Sequence, residues 1–289
     1  MKDINSLLDI ADTTDAFFID VFGVLWDGFV FYPKALNICQ QLIKRKKRIY
    51  VLSNTTMLGS HFKEKHISHG FIQGVHYTDV ITSGDVLKYA LERQYFLDTL
   101  LNSKTAKFLL IGRPNDSVLA SVLHRQTQDI TQAKAVYIGS LQLYQNNTWV
   151  SQLDIQPFIP FAQKALDHNI PCICANPDYF AFVNNQKIVT QGNLAQWYED
   201  HGGRVYWFGK PHKNLYDYAI KIAQVFVERS IMVGDTIRTD ILGGVNSGMK
   251  TVLILGYGIT QDKLDQGISL QQIIQQEGAA PDFILNQLK

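Results

Sequence analysis

The chain predicts an α/β protein: a parallel sheet with covering helices, and a second α/β domain inserted in its middle. Three observations carry this. Short apolar runs alternate with stretches of helical spacing near both ends of the chain. Four of these runs end on a polar group: Asp20 after Ala16–Ile19, Ser53-Asn54 after Ile49–Leu52, Lys210 after Val205–Gly209, and Gly234-Asp235 after Ile231–Val233. The middle of the chain holds its own strand-like runs and helical segments.

The first strand, Phe17 to Asp20, leads into an irregular stretch from Val21 to Pro33 that contains Gly23 and Gly28. Lys34 to Lys46 has helical spacing, with Ala35, Leu36, Ile38, Cys39 and Leu42 apolar, and Arg48 to Leu52 reads as the second strand. Strand, helix and strand make a parallel crossover. Residues 55–75 read as a helix and a turn at Gly70, followed by a short strand at Val80-Ile81 and a helix from Asp85 to Glu92. In the insertion, Lys107–Gly112, Ala135–Gly139 and Pro171–Ala175 are strand-like, Trp149–Asn169 is amphipathic, and a helix follows Gln191-Gly192-Asn193. The last part alternates again: Val205–Phe208, a helix over Leu215–Val225, Ser230–Val233, a helix over Thr239–Asn246, and Thr251–Leu255. Gly248 suits the left-handed residue that closes a helix, and Pro281–Leu285 reads as a final edge strand. The expected division is therefore a core of residues 1–80 and 204–289 with an insertion of 81–203.

With 289 residues, 46% of them hydrophobic, the chain is long enough for one or two well-buried domains. A formal net charge of +1 gives no basic excess for nucleic acid and no acidic tail. The first residues, Met1-Lys2-Asp3-Ile4-Asn5, lack a signal-peptide layout, and no apolar run approaches a membrane span. Three cysteines do not make a disulfide framework, and Cys172 and Cys174 alternate with Ile173 as core residues of a strand would. The expectation is a cytoplasmic protein with neither nucleic acid nor membrane as partner.

In an open parallel sheet the C-terminal ends of the strands line the ligand crevice. Asp20 and Asp235 at adjacent strand ends form a close carboxylate pair, and such a pair repels unless a cation lies between its members. Few oxygen ligands, with room for water and phosphate, suit Mg²⁺. Asp240, on the first turn of the following helix, adds a carboxylate or holds metal-bound water. Lys210 supplies positive charge, and Ser53 and Asn54 supply neutral donors. This set meets the needs of phosphoryl transfer, in which negative oxygens must be neutralised and oriented. Asp20 is the candidate nucleophile, forming an aspartyl-phosphate that water hydrolyses.

Asp20-Val21-Phe22-Gly23-Val24, Ser53-Asn54, Lys210, and Gly234-Asp235 through Asp240 resemble the four ordered motifs of the haloacid dehalogenase (HAD) superfamily. Val24–Gly28, Tyr32-Pro33, Thr82-Ser83-Gly84, Ala175–Asp178 and Gly209-Lys210-Pro211 are similar to its subclass with a large α/β cap, which includes p-nitrophenylphosphatase-like and sugar-phosphate phosphatases. The resemblance implies a Rossmann-like core, a cap domain, Mg²⁺, and hydrolysis of a small phosphorylated metabolite. It also implies a homodimer, a backbone carbonyl ligand at Phe22, and a cap segment at Asn176 and Asp178 that faces substrate or shapes a turn.

The chain departs from the family at Phe22, where its phosphatases carry a second aspartate that protonates the leaving oxygen. A phenyl ring carries no proton, and losing a general acid costs about 10²–10⁴ in rate. Three readings follow: substrates with good leaving groups; another acid, such as Asp27; or a binding protein that turns its phosphorylated ligand over poorly. The superfamily's dehalogenases also carry an aromatic residue here, but they need no metal, and the retained Asp235 and Asp240 disfavour that activity. A receiver-like phosphoacceptor domain is disfavoured by the large insertion. Phe22 itself reads as a core aromatic. His61, His66 and His69 read as a wet helix face, Gly256-Tyr257-Gly258 is too short for a dinucleotide loop, and Asn146-Asn147-Thr148 is discounted as a glycosylation site. The asparagines of the insertion, Asn146, Asn147, Asn176, Asn184 and Asn185, suit a hydroxyl-rich ligand.

Overall fold

A computed structural model describes residues 1–93, 106–113, 125–183 and 186–288. Asn184 and Asn185 lie outside the described residues. The chain divides into two compact units, one of Met1–Ser53, Gly59–Thr82 and Lys210–Lys289, the other of Asn54–Leu58 and Ser83–Gly209.

The first unit is built on a seven-stranded sheet in which every pairing is parallel. Its order is Lys2–Asp3, Phe283–Leu285, Lys250–Ile254, Ser230–Gly234, Ala16–Ile19, Arg48–Ser53 and Asp79–Thr82. Ala16–Ile19 is wholly buried, as its apolar run requires, because helices cover both faces of such a sheet. From this strand the chain builds outward in both directions: Arg48–Ser53 lies on one side and Ser230–Gly234 on the other. The order thus reverses between Ala16–Ile19 and Ser230–Gly234, the point at which a ligand crevice is expected in a doubly wound sheet. Phe283–Leu285 is not the edge, since the two-residue strand Lys2–Asp3 pairs outside it.

The helices follow their apolar spacing with shifted limits. Pro33–Lys44 begins on its proline, and Lys213–Ala223 ends in left-handed Gln224. The helix expected within 55–75 is shorter, Gly59–Ile67, with Gly70 left-handed as expected. A π-helical turn over Ile237–Ile241 precedes the α-helix Leu242–Asn246, and Gly248 closes it at φ +79°. Gly258–Asp265 and Leu270–Glu277 add two C-terminal helices, the second opened by a capping box between Ser269 and Gln272.

The second unit holds a four-stranded parallel sheet in the order Val205–Trp207, Cys172–Cys174, Ala133–Ile138 and Lys107–Ile111. Val205–Trp207 was expected in the core and instead pairs with Cys172–Cys174, so the second unit runs on to Gly209 rather than ending at 203. Alternating apolar residues mark a strand but do not say which sheet receives it. Two antiparallel hairpins complete this unit, Gln142–Gln145 with Thr148–Ser151 and Phe180–Val183 with Gln186–Val189. In the first, Asn146 and Asn147 form the turn with both φ values positive, the geometry that suits a two-residue hairpin loop. The segment Trp149–Asn169, read as one amphipathic stretch, divides into the end of this hairpin and the helix Ile159–Asp167. Cys172 and Cys174 are buried, and burial raises the Cys172 thiol well above its ordinary range, in keeping with packing.

Candidate active site

The carboxylates of Asp20, Asp235 and Asp240 converge at the reversal of the larger sheet. Asp20 follows Ala16–Ile19, and its N–H donates to Val233 O at 2.9 Å, so the ladder holds it to the last. Asp235 follows Ser230–Gly234, and Asp240 lies in the π-helical turn beyond it. One oxygen of each carboxylate lies within 4.8 Å of the others. Gly234 makes this possible, because a Cβ there would occupy the space of the Asp240 side chain.

Lys210 is the cation of the cluster. Its Nζ lies 2.6 Å from Asp20 Oδ1 and 2.7 Å from Asp240 Oδ1, with side-chain exposures of 2% for Lys210, 14% for Asp20 and 0% for Asp240. Burial, then repulsion from Asp240 and Asp20, pushes the Asp235 carboxyl well above the usual carboxylate range, opposed by the Ile259 N–H and Lys210. Burial likewise holds Asp240 up at about 7, against the pull of Lys210. The second oxygen of Asp240 accepts the Thr236 N–H at 3.1 Å.

Ser53 ends Arg48–Ser53, opposite Thr82 in the ladder, and is buried. Asn54 groups with the second unit, where its Nδ2 donates to Asp178 Oδ1 at 2.9 Å. The Asp178 N–H in turn donates to Asn176 Oδ1 at 3.1 Å, and Asn176 Nδ2 donates to Gln191 Oε1 at 3.2 Å. The Asn176-Pro177-Asp178 segment is therefore a turn braced by its own side chains and by Asn54. Asp27 Oδ1 accepts the N–H groups of Phe29 and Val30, both at 2.7 Å, an Asx turn that shapes the loop after the first strand.

Two sequence expectations are corrected. Phe22 is not a core residue but 54% exposed, because it lies past the strand end on a turn completed by left-handed Gly23. His66 is not on a wet face. It is buried among Trp26, Phe31 and Phe62, and burial lowers it to about 4. Sequence reasoning also missed the turn at Tyr257–Thr260, whose Ile259 N–H donates to Asp235 Oδ2 at 2.7 Å. Its signal was a glycine just after the apolar run Thr251–Leu255, the same kind of strand-end position that marked Asp20 and Asp235.

Two buried carboxylates and the partly buried Asp20 around one ammonium carry an excess of negative charge that a low-dielectric interior penalises. The raised acids Asp235 and Asp240 are the sign of that penalty. The available side-chain donors are oxygens, few and close, at the solvent-reaching end of Asp20, which fits Mg²⁺ better than Zn²⁺ with its preference for nitrogen and sulfur.

Fold and site define an α/β protein with a doubly wound parallel sheet and a carboxylate cluster at its switch point. The chain belongs to the haloacid dehalogenase-like hydrolases. A family model of that description matches residues 17–136, and a HAD-hydrolase-like model matches 207–289. Phosphoglycolate phosphatase 2 of Arabidopsis thaliana is 23% identical over 280 residues, covering 90% of this chain and 89% of that protein. The ribonucleotide monophosphatase NagD of Escherichia coli K12 is 34% identical over 64 residues, 22% of this chain and 26% of its own. Among solved structures, a haloacid dehalogenase-like hydrolase from Brucella suis superposes with a TM-score of 0.81 at 23% identity, covering 99% of this chain and 100% of that one. The p-nitrophenyl phosphatase of Archaeoglobus fulgidus gives 0.67 at 21% identity over 95% and 96%. Among the described residues no helix is long and apolar enough to cross a membrane.

Proposed function

We propose that the protein is a Mg²⁺-dependent phosphatase of small phosphorylated metabolites that works through an aspartyl-phosphate on Asp20. The observation that carries this reading is the convergence of the Asp20, Asp235 and Asp240 carboxylates, with the buried Lys210 paired to Asp20 and Asp240. Relatives matched over most of their length are phosphoglycolate phosphatases, which supports a phosphate monoester as substrate.

Asp20, Asp235 and the backbone carbonyl of Phe22 are the proposed metal ligands, with Asp240 beside them. Bound Mg²⁺ supplies positive charge that masks the carboxylates and the phosphoryl oxygens. Ser53 and the Asn54 N–H orient those oxygens, while Lys210 neutralises them and holds Asp20. One Asp20 oxygen attacks phosphorus, and the ester oxygen leaves with the bonding electron pair. Water then hydrolyses the acyl phosphate, returning Asp20 as carboxylate and releasing inorganic phosphate. Phe22 supplies no proton, so the leaving oxygen takes one from water or departs as a stable anion. The best substrates are therefore aryl, acyl or anhydride phosphates. Asn176 and Asp178 serve the turn that holds Asn54, rather than the reacting group.

A second reading, a phospholigand-binding protein with little turnover, is favoured by Phe22 alone. Retention of the nucleophile, the lysine and the metal carboxylates weighs against it. Dehalogenation is disfavoured because the extra carboxylates would repel a haloacid. Hydrolysis of p-nitrophenyl phosphate with Mg²⁺ and with EDTA, for wild type and Asp20→Asn, tests the proposal. Mg²⁺-dependent turnover lost in Asp20→Asn is expected; turnover that survives the substitution rejects Asp20 as nucleophile.

A further inference from the structure

Two backbone segments crowd onto Asp235. Gly23 and Gly258 both have positive φ, +75° and +82°. A Cβ on Gly23 would stand 2.9 Å from the Asp235 carboxylate and 3.0 Å from Gly258 Cα, and a Cβ on Gly258 would overlap the carboxylate outright. The Ile259 N–H donates to Asp235 Oδ2 at 2.7 Å, and the Thr260 N–H donates to the Asp235 backbone carbonyl at 3.3 Å. Gly258 and Ile259 open the helix Gly258–Asp265, with Tyr257 as its N-cap. The first N–H groups of a helix have no partner within it, and here one of them is spent on a buried carboxylate. Tyr257 in turn stacks on Tyr32, ring centroids 4.6 Å apart and planes 12° from parallel. Tyr32 ends the loop that begins at Asp20, so the stack ties that loop to the turn.

We infer that the Tyr257–Thr260 turn is a positioning element of the proposed metal centre: it fixes the rotamer of Asp235 by binding Oδ2 from behind and leaves Oδ1 as the ligand atom. The inference rests on the reading of Asp235 as a metal ligand. A carboxylate held by a single bond to its own backbone rotates about its side-chain torsions, and each orientation lost on binding metal weakens the site. A backbone N–H fixed by a helix, with no room for a Cβ on either flank, removes that freedom before metal arrives. Groups that orient a ligand in this way typically carry about 10–100-fold in metal affinity. The turn touches neither substrate nor reacting atoms, so its residues act through Asp235.

Calorimetric titration of the full chain with MgCl₂ tests this, alongside melting curves in EDTA. Ile259→Pro removes the N–H at a helix position that tolerates proline, and Gly258→Ala introduces the clashing Cβ. Tyr257→Ala, at a residue 38% exposed, loosens the stack without opening the core and serves if either of the others fails to fold. The expected result is a Mg²⁺ affinity about tenfold weaker in Ile259→Pro, and a weaker one in each other folded variant. A purely structural turn would lower the melting temperature in EDTA and leave the affinity of the folded protein unchanged, and that result overturns the inference. Asp235→Asn separates the two levels: if wild type binds Mg²⁺ no better than Asp235→Asn, the metal centre itself is wrong. If Asp235→Asn abolishes binding while the turn variants bind as wild type, only the positioning role fails.

Discussion

Lys210 Nζ stands 2.7 Å from Asp240 Oδ1 in full burial, and the same nitrogen reaches Asp20 Oδ1 at 2.6 Å. One ammonium therefore links the proposed nucleophile to a carboxylate anchored on the Thr236 N–H. The arrangement sets Asp20 on a rigid support and leaves the cluster short of positive charge.

Lys210→Met removes that cation and keeps most of the side-chain volume. Breaking a buried ion pair from one side costs about 3–5 kcal/mol, so the melting temperature in EDTA is expected to fall by several degrees. Because a divalent cation meets the same deficit, Mg²⁺ is expected to raise the variant's melting temperature more than the wild type's. Equal melting in EDTA would show that the lysine does not balance the cluster.

At the proposed metal centre, the raised acids Asp235 and Asp240 give metal uptake a pH dependence. Without metal, the folded protein keeps a proton on Asp240 up to about 7, whereas an ordinary aspartate loses it near 3.8. The folded state holds more protons than the unfolded chain in that window, so this group's contribution to stability falls as pH rises through it. A cation needs the carboxylates as anions, so Mg²⁺ must displace protons below and around neutrality, and its affinity is expected to rise with pH. Titrations at pH 6.5 in two buffers of different ionisation enthalpy should report net proton release. Buffer-independent heats would count against a protonated cluster.

Asp20, Lys210 and Asp235 were legible because each follows an apolar run, and Asp240 because it lies one turn beyond Asp235. What surrounds them was not. Phe22 is apolar and adjacent to a buried strand, yet it is exposed, because Gly23 turns the chain at the strand end. Val205–Trp207 was legible as a strand but not as a member of the smaller sheet, since partner choice depends on distant residues. Gly258 acts on Asp235, 23 positions earlier in the chain; the strand end before it is visible in sequence, but the close approach that leaves no room for a Cβ is not. The same holds for His66, whose aromatic neighbours Trp26 and Phe31 come from a different segment.

His66 carries a separate pH effect. Burial lowers it from 6.5 to about 4, and its Nδ1 has no hydrogen-bond partner among the described residues. Between those values the unfolded chain takes up a proton that the folded protein refuses, so stability declines as pH falls through the window. The decline amounts to about 3 kcal/mol at most for a shift of this size. His66→Phe keeps a ring among Trp26, Phe31 and Phe62 and removes the titration. Urea melts at pH 7.5 and 4.5 should show a smaller acid loss in the variant than in wild type. An equal loss would assign the acid limb to other groups.

On the proposed mechanism, Phe22 is the residue on which catalytic efficiency turns. Restoring a carboxyl by Phe22→Asp supplies a general acid two residues beyond Asp20, at a position already exposed and therefore free of a burial cost. Such an acid contributes about 10²–10⁴ where the leaving oxygen is a poor anion. For an aryl phosphate, whose phenolate leaves unaided, the gain should be small. The expected outcome is a rise of at least about tenfold in kcat for an alkyl phosphate such as glycerol phosphate, against little change for p-nitrophenyl phosphate. Their ratio is the informative quantity, since it cancels any general effect of the substitution on folding or metal binding. Equal gains on both substrates, or none on either, would mean that the phenyl ring is not what limits turnover, and the acid would have to be sought elsewhere in the protein.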